Sequence, residues 1–214
     1  MILTVAAFMI FDRENQMMLA ASVIGATYLI FNAKGNPAGQ VLLVIFSVFY
    51  GVISYTFAYY GEMITYLGMS TPMAVLSLIA WLRNPYNGDR SQVKINRIGR
   101  GEVLFMILLI AAVTAAFYFI LRYFGTARLL PSTLSVTTSF LAVYLTFRRS
   151  RFFTLAYAVN DIVLIILWAL ASLESRSCIS VTICLIMFLV NDIYSYVNWT
   201  RLERRQGSGG DIRE

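Results

Sequence analysis

The 214-residue sequence contains no histidine, only two cysteines and only 13% charged residues. Without histidine, zinc sites, serine–histidine triads and imidazole proton relays are nearly excluded. Cys178 and Cys184 stand in one apolar run without metal-ligand spacing, so we interpret them as small core residues. These absences argue against an enzyme, and we expect neither a metal nor a cofactor.

The shortage of charge also excludes an ordinary water-facing surface. Soluble domains are about a quarter charged, whereas this chain is 59% hydrophobic. The run VLFMILLIAAVTAAFYFIL (103–121) has no charge over a length at which a helix crosses about 30 Å of hydrocarbon. The sequence therefore predicts an all-α polytopic protein whose partner is the lipid bilayer.

Seven apolar segments have the length of a spanning helix: 17–31, 39–58, 62–82, 102–121, 131–147, 153–172 and 178–199. An eighth stretch, 1–11, is too short to span unless Asp12, Arg13 and Glu14 lie at the water interface. It lacks the basic start and small-residue cleavage site of a signal peptide. We therefore expect a seven-helix core, and an extra N-terminal helix stays an open alternative.

The basic residues are divided unevenly between the predicted loops. If successive loops alternate between the two sides, 13 of the 17 Lys and Arg residues share one side, and Arg13, Arg122, Arg128 and Arg176 lie on the other. The positive-inside rule makes the basic side cytoplasmic. This predicts a multi-pass protein of the inner (cytoplasmic) membrane with a cytoplasmic C-terminus, and it explains the net charge without a nucleic-acid partner.

A weak internal similarity organises the seven segments. Residues 26–62 align with 142–174, mainly through YLIF at 28–31 and YLTF at 144–147, each followed by a short basic loop. Both copies start on the same side, so the repeat is parallel and needs one crossing helix between its halves. The predicted organisation is an N-terminal helix and outer loop (1–16), a first three-helix repeat (17–82), a cytoplasmic loop and linker helix (83–130), a second three-helix repeat (131–200) and a flexible cytoplasmic tail (201–214).

Pro72 lies inside one predicted span, in GMSTPMAV (68–75). Proline removes an intrahelical hydrogen bond, so we expect a kink there. Broken helices at membrane depth often line a cavity, but proline is also commoner in membrane helices generally. Both interpretations stay open.

Three spans carry polar residues at helical spacing. Spacings near i+3 and i+7 place side chains on one helix face. Carboxylates in lipid cost several kcal/mol or more unless they are paired or hydrated, and aromatic rings bind flat or cationic groups. The set predicts a site for a small polar solute with a flat, cationic ring. Its residues are Ser47, Tyr50 and Ser54; Asn160, Asp161 and Trp168; and Asn191, Asp192, Tyr194 and Asn198.

Each residue type also has a simpler interpretation. Asn and Ser often only join membrane helices through hydrogen bonds. Trp81 and Trp199 end their helices where aromatic belts are routine. We interpret Tyr28 and Tyr144 as packing residues at equivalent repeat positions. The aspartates are the hardest to explain in this way, because only hydration or a partner offsets a buried charge.

Three runs carry a family resemblance: NAKGNPAGQVLLVIFSVFYGVISYTFAYYGEMITYLGMSTPMAVLSLIAWLRNP (32–85), NDIVLIILW (160–168) and NDIYSYVNW (191–199). They resemble the PnuC-type vitamin transporters, whose best-known members carry nicotinamide riboside, over roughly residues 17–200. The resemblance implies a SWEET-like 3+1+3 parallel-repeat core, a homotrimer and facilitated diffusion. A cytoplasmic kinase then traps the vitamin on the way to NAD.

The resemblance also implies which residues bind the substrate. They lie in core helices two, three, six and seven and correspond to Gln40, Ser47, Tyr50, Ser54, Asn160, Asp161, Trp168, Asn191, Tyr194 and Asn198. Family members often have a second tryptophan near the end of core helix three, where this chain has only Trp81. That departure leaves thiamine, riboflavin and deoxynucleosides as alternative substrates.

The predicted activity is therefore uniport of nicotinamide riboside by alternating access, with phosphorylated ligands rejected because the expected cavity has carboxylates and no Lys or Arg. One alternative is a proton-coupled importer in which Asp161 or Asp192 titrates. Another is a membrane-embedded enzyme or the substrate-binding subunit of a larger transporter. Transport by the purified chain alone would exclude the subunit role.

Overall fold

The computed structural model describes residues 16–56, 63–126, 128–172 and 179–208. Within these residues, every predicted span is helical. The predicted extra helix at 1–11 lies outside the described residues. We number the helices α1 (Gln16–Ala33), α2 (Ala38–Thr56), α3 (Thr71–Leu82), α4 (Arg100–Tyr123), α5 (Leu129–Phe147), α6 (Phe152–Ser172) and α7 (Ile179–Ser208).

Four segments of the described helices are long and apolar enough to cross a membrane: Ala38–Tyr55, Thr65–Leu82, Arg100–Tyr123 and Leu129–Phe147. Val23–Ala33 and Phe152–Leu167 are shorter apolar helical segments. The apolar part of α4 is not buried within the chain, and large side chains such as Leu104, Leu108 and Phe119 stand exposed along it. In water such a surface would aggregate, so it fits lipid contact.

The helices pack in sequence order and then close on one another. α1 contacts α2, α2 contacts α3, α5 contacts α6 and α6 contacts α7, while α4 lies against α5. Two further contacts, α3 with α5 and α1 with α7, join the first three helices to the last three. A hydrophobic cluster that contains Trp81, Phe153 and Trp199 lies where these groups meet.

One end of the bundle collects most of the basic loops, and we call it the basic end. A short hairpin of β1 (Pro85–Tyr86) and β2 (Asp89–Val93) lies there. Asn87 and Gly88, both with positive φ, form its two-residue turn, as the twist of a hairpin requires. The Ser91 backbone N–H and hydroxyl both donate to Asp89 and lower the pKa of its carboxyl group.

The C-terminal helix is longer than the sequence predicted. We expected a flexible tail from residue 201, but α7 continues to Ser208. The Gln206 side chain accepts the Ile95 N–H at 2.8 Å and donates to the Val93 carbonyl at 3.0 Å. Because these bonds hold the end of α7 against the hairpin, residues 201–208 belong to the folded structure.

The span that contains Pro72 is not a regular α-helix along its whole length, and the kink at Pro72 stays a prediction. A π-helical turn, Thr65–Ser70, precedes α3, and Pro72 follows it at the start of the α-helical part. The Thr71 hydroxyl oxygen lies 2.9 Å from the Tyr66 carbonyl oxygen within this turn. π-turns of this kind often occur at functional positions, and this one faces α2.

Candidate functional site

Four polar side chains from three helices meet inside the bundle, and we call them the central cluster. Its members are Tyr28 of α1, Tyr157 and Asp161 of α6, and Asp192 of α7. The two tyrosines are hydrogen-bonded to each other, the two carboxyl groups contact each other, and both tyrosines lie close to both carboxyl groups. Each aspartate is only 5% exposed. The cluster therefore connects the first three helices with the last three.

The central cluster lies well inside the bundle. Asp161 is nine residues from the start of α6 at the basic end, a rise of about 13 Å. Asp192 precedes Trp199, at the basic end, by seven residues, or about 10 Å. Both positions are near the middle of a hydrocarbon layer about 30 Å thick.

Among the residues that the structure describes, two buried acceptor oxygens have no hydrogen-bond partner: Oδ2 of Asp161 and Oε1 of Gln40. Leaving such an atom unpaired costs about 1–3 kcal/mol, and native structures contain few of them. Each is therefore open to a donor from a ligand. In the described part of the chain, no group of three or more His, Cys, Asp or Glu residues is placed to hold a metal ion.

Asn160 faces a different neighbour from Asp161. Its Oδ1 accepts hydrogen bonds from the Thr138 hydroxyl at 2.7 Å and the Ser139 hydroxyl at 3.1 Å, both on α5. Its carbonyl oxygen thus joins α5 to α6, and its amide nitrogen remains as a donor. Asn191, the matching residue on α7, makes a long contact of 3.5 Å to Ser195.

The polar face predicted on α2 is turned inward. Ser47 and Ser54 are buried, and the Ser47 hydroxyl lies 2.9 Å from that of Thr71. Tyr50 packs on Tyr66 with ring centroids 4.5 Å apart. The first three helices therefore contribute hydroxyl groups and an aromatic wall at similar depth.

The structure does not bring all the predicted residues together. Gln40 and Asn198 lie at the basic end, where Gln40 donates to Asn32 at 2.8 Å and Asn198 donates to the Ala33 carbonyl at 2.7 Å. The side chain of Trp168 lies outside the described part of the structure.

Tyr194 does not face the interior, contrary to the prediction. It is 59% exposed. The buried stripe of α7 runs through Asp192, Ser195 and Trp199, and two residues correspond to about 200° around a helix. Tyr194 therefore points away from Asp192. The i, i+3, i+7 pattern with Asn191 marks the side of α7 that flanks the interior, not the side that fills it.

Trp81 and Trp199 form a reciprocal pair at the basic end. The Trp199 indole N–H donates to the Asn32 carbonyl at 3.0 Å, and the Trp81 indole N–H donates to the Thr146 carbonyl at 2.9 Å. Both side chains are fully buried, with ring centroids 5.5 Å apart. We call these two bonds the indole clasp. The interpretation of these residues as an interfacial belt was wrong, because neither ring reaches the surface.

The two carbonyl acceptors of the clasp occupy equivalent helix ends. At the end of α1, Gly35 N–H bonds Asn32 and Asn36 N–H bonds Phe31; at the end of α5, Arg149 N–H bonds Thr146 and Ser150 N–H bonds Leu145. Gly35 and Arg149 are both left-handed, with φ of 69° and 56°. This pairing is the Schellman motif. Each indole N–H thus donates to a carbonyl in the same type of helix C-terminus, one on α1 and one on α5.

Several residues in or near the candidate site were not predicted from the sequence. Tyr28 was interpreted as packing, yet it lies against the two carboxyl groups. Tyr157 precedes Asp161 by four residues, which is a helical spacing that places both on one face. Asn32, which binds Gln40, stands beside a turn. Only the Tyr157 spacing offered a signal in the sequence.

Comparison with known proteins reveals related membrane proteins. The family model described as "Nicotinamide mononucleotide transporter" matches residues 15–201. The nicotinamide riboside transporter PnuC of Neisseria mucosa is 26% identical over 204 residues, which cover 94% of this chain and 78% of that protein. The crystal structure of the vitamin B3 transporter PnuC superposes with a TM-score of 0.79 at 25% identity, over 95% of this chain and 88% of that one.

Proposed function

This chain belongs to the nicotinamide mononucleotide transporter family of multi-pass membrane transporters, and from that premise we propose that it carries nicotinamide riboside. The curated relative is named for that compound. The observation that carries the proposal is the buried, unpartnered Oδ2 of Asp161 in the central cluster.

The chemistry of nicotinamide riboside matches the central cluster. Its pyridinium ring is a flat cation, and its ribose and carboxamide supply hydrogen-bond donors. We propose that Asp161 and Asp192 compensate the ring charge and accept from these donors, while Tyr28 and Tyr157 add hydroxyl groups and aromatic surface. A cation that binds two buried carboxylates removes the desolvation cost they otherwise bear.

Two groups of predicted residues complete the proposed site. We propose that Ser47, Tyr50 and Ser54 form its wall in the first three helices, and that the amide groups of Asn160 and Asn191 donate from the other side. We propose that Gln40 and Asn198 contact the substrate nearer the basic end. The contact of Trp168 with the substrate stays a prediction. Tyr194 is not part of this proposal.

The same cluster disfavours a phosphorylated ligand. Among the described residues of the spans, Lys and Arg occur only near the helix ends. A phosphate beside Asp161 and Asp192 would therefore meet like charge, which costs several kcal/mol. We propose that the dephosphorylated riboside, and not the mononucleotide, is the substrate.

We further propose a 3+1+3 parallel-repeat architecture, with α1–α3 and α5–α7 as the two halves and α4 as the linker. The indole clasp supports it, because each tryptophan belongs to the third helix of one half and binds the end of the first helix of the other. A homotrimer stays a prediction from the resemblance.

We propose that the basic end faces the cytoplasm of a cell with an inner membrane, in accord with the positive-inside rule. The indole clasp then closes the cytoplasmic side. Rocking of the halves breaks both indole bonds together and releases the substrate inward. Such a uniporter moves its substrate only down a gradient, and phosphorylation of the product by a kinase maintains that gradient.

Uptake of labelled nicotinamide riboside into proteoliposomes that contain only this protein tests the proposal. We expect saturable, downhill uptake that unlabelled riboside inhibits and that thiamine, riboflavin and deoxynucleosides do not. Inhibition by thiamine alone would assign the chain to another substrate class. Failure of the purified protein to transport any of these compounds would favour a subunit role.

The contact between Asp161 and Asp192 favours a second candidate, a proton-coupled importer. Two adjacent buried carboxyl groups are a common arrangement for proton exchange in transporters. In that case an imposed pH gradient would drive accumulation of the riboside above equilibrium, and Asp161→Asn would abolish the response. The uniport proposal expects no accumulation with either sign of the gradient.

A further inference from the structure

A cavity lies at the basic end, apart from the central cluster. The cavity has a volume of about 710 Å³ and lies between α4, α5 and α6 beside the end of α7. Its rim is polar, with Asn96, Arg97, Arg151, Glu203 and Arg204, and its deeper walls are apolar. Neither the family comparison nor the proposed transport site accounts for it.

The rim has an excess of positive charge. Glu203 accepts from Arg97 at 3.0 Å and from Arg151 at 2.9 Å. One carboxylate thus holds two guanidinium groups, and Arg204 adds a third cation to the lining. The side chain of Arg97 remains 82% exposed despite its bond to Glu203. Each guanidinium has five N–H donors, so further oxygen atoms can bind.

The apolar walls are open on their outer side. Val103 of α4 and Leu155 and Val159 of α6 line the cavity and are exposed hydrophobic residues of the chain. From Arg151 to Val159, α6 rises about 12 Å. The cavity therefore begins at the polar boundary of the membrane and continues into the hydrocarbon layer. A lipid has the same order of parts, with a polar headgroup followed by an acyl chain.

We propose that this cavity binds one anionic phospholipid, with its phosphate at Arg97 and Arg151 and an acyl chain between α4 and α6. Charge complementarity selects this occupant, because basic pockets between membrane helices bind anionic headgroups. A zwitterionic lipid offers the same chain but no net charge. Leu145 and Ala156 line the cavity and also belong to the hydrophobic cluster with Trp81 and Trp199, so the lipid supports the wall behind the indole clasp.

Thermal unfolding of the detergent-solubilised protein, titrated with single compounds, tests the proposal. The probes are phosphatidylglycerol, phosphatidylcholine of the same acyl chains, and inorganic phosphate. We expect saturable stabilisation by phosphatidylglycerol and at most a weak response to phosphatidylcholine. An equal response to both lipids would overturn the proposal. Saturation by inorganic phosphate at the same concentration as phosphatidylglycerol would show a phosphate site and not a lipid site.

Three charge variants sharpen the test. Arg97→Gln should weaken the apparent affinity for phosphatidylglycerol about five-fold, the effect of one basic residue near an anionic headgroup. Glu203→Gln should strengthen it, because both guanidinium groups lose their internal partner. Arg90→Gln makes the same charge change on the exposed hairpin, outside the cavity, and should have little effect.

The opposite signs of Arg97→Gln and Glu203→Gln separate lipid binding from a structural ion pair. If Arg97, Arg151 and Glu203 only stabilise the fold through their ion pairs, both substitutions lower the unfolding temperature and neither changes the lipid response. That result would contradict the proposal.

Val103→Trp fills the apolar part of the cavity and leaves the rim intact. It should abolish the lipid response even though every charge is kept. An unchanged response would mean that the lipid lies elsewhere. Crosslinking at Val103 to a second copy of the chain, with loss of the lipid response on association, would assign the surface to an oligomer interface and overturn the lipid proposal.

Discussion

The indole clasp and the central cluster are both buried polar assemblies between the first and last three helices, but they differ in hydrogen bonding. Both indole N–H groups of the clasp bind a carbonyl. In the central cluster two carboxyl groups face each other, and one oxygen of Asp161 has no partner. A satisfied assembly stabilises one conformation. An unsatisfied one can accept a hydrogen bond from a ligand, so the difference agrees with the proposal that the clasp is a closure and the cluster a binding site.

The largest expected effect comes from removing the unsatisfied charge. Asp161→Asn keeps the size of the side chain but loses its compensation of a cationic ring. A hydrogen bond to a charged group contributes about 1.5–3 kcal/mol, so we expect the affinity for nicotinamide riboside to fall about 10- to 100-fold by calorimetry. Asp89→Asn makes the same change on the exposed hairpin and serves as control. A similar loss in the control would refute the assignment.

Breaking the clasp should shift the resting conformation. Trp81→Phe and Trp199→Phe each retain an aromatic ring but lose one indole bond, worth about 1 kcal/mol, so we expect about five-fold more of the form open at the basic end. Ser77 is a buried residue of α3 one turn before Trp81, so the rate of thiol labelling of Ser77→Cys, in a background without the native cysteines, reports this opening. Labelling that both variants leave unchanged would show that the clasp is not a gate.

The two tryptophan variants also test whether the two halves of the protein are equivalent at the clasp. If the halves are equivalent at the clasp, Trp81→Phe and Trp199→Phe should accelerate labelling by similar factors. Tyr123→Phe, which changes an 85% exposed residue at the opposite end, should not change labelling. A large effect of one tryptophan alone would mean that the two bonds are not released together.

A matched tyrosine pair tests which face of the helices binds substrate. Tyr28→Phe removes a hydroxyl from the central cluster and should weaken riboside binding about two- to ten-fold, the range for one neutral hydrogen bond. Tyr194→Phe removes a hydroxyl from an exposed side chain and should leave binding unchanged. The reverse outcome would restore the prediction from the sequence that Tyr194 contacts the ligand.

The smallest expected effect on binding comes from Thr138→Val. The substitution leaves the buried Asn160 carbonyl without its 2.7 Å bond, so we expect a stability loss of about 1 kcal/mol, seen as a lower unfolding temperature. Riboside affinity should stay within about two-fold if this bond mainly joins helices. A loss beyond ten-fold would show that Thr138 positions Asn160 for the ligand.

Within the described residues, the sequence predicted the placement of the helices well, because the length of an uncharged run is set by the thickness of the bilayer. It predicted Asp161 and Asp192 as central, because an unpaired carboxylate is costly in lipid. Burial at these two residues agrees with that expectation. These inferences depend on one residue or one segment at a time.

The predictions that were wrong concerned features that depend on contacts between two segments of the chain. Trp81 pairs with a carbonyl 65 residues away and Trp199 with one 167 residues away, and no local spacing reveals either bond. Tyr194 and Asp192 are two residues apart in one helix, and the choice of the inward face follows from the packing of α7 on α6. The end of α7 is helical because Gln206 binds the hairpin, which polarity alone did not show.

The most direct test of the account compares nicotinamide riboside with nicotinamide mononucleotide by titration calorimetry on the same purified protein. The central cluster has two carboxyl groups and no described Lys or Arg at the proposed binding position. We therefore expect saturable binding of the riboside and binding of the mononucleotide at least about 100-fold weaker, because like charges repel. Equal affinity for the two compounds would contradict it.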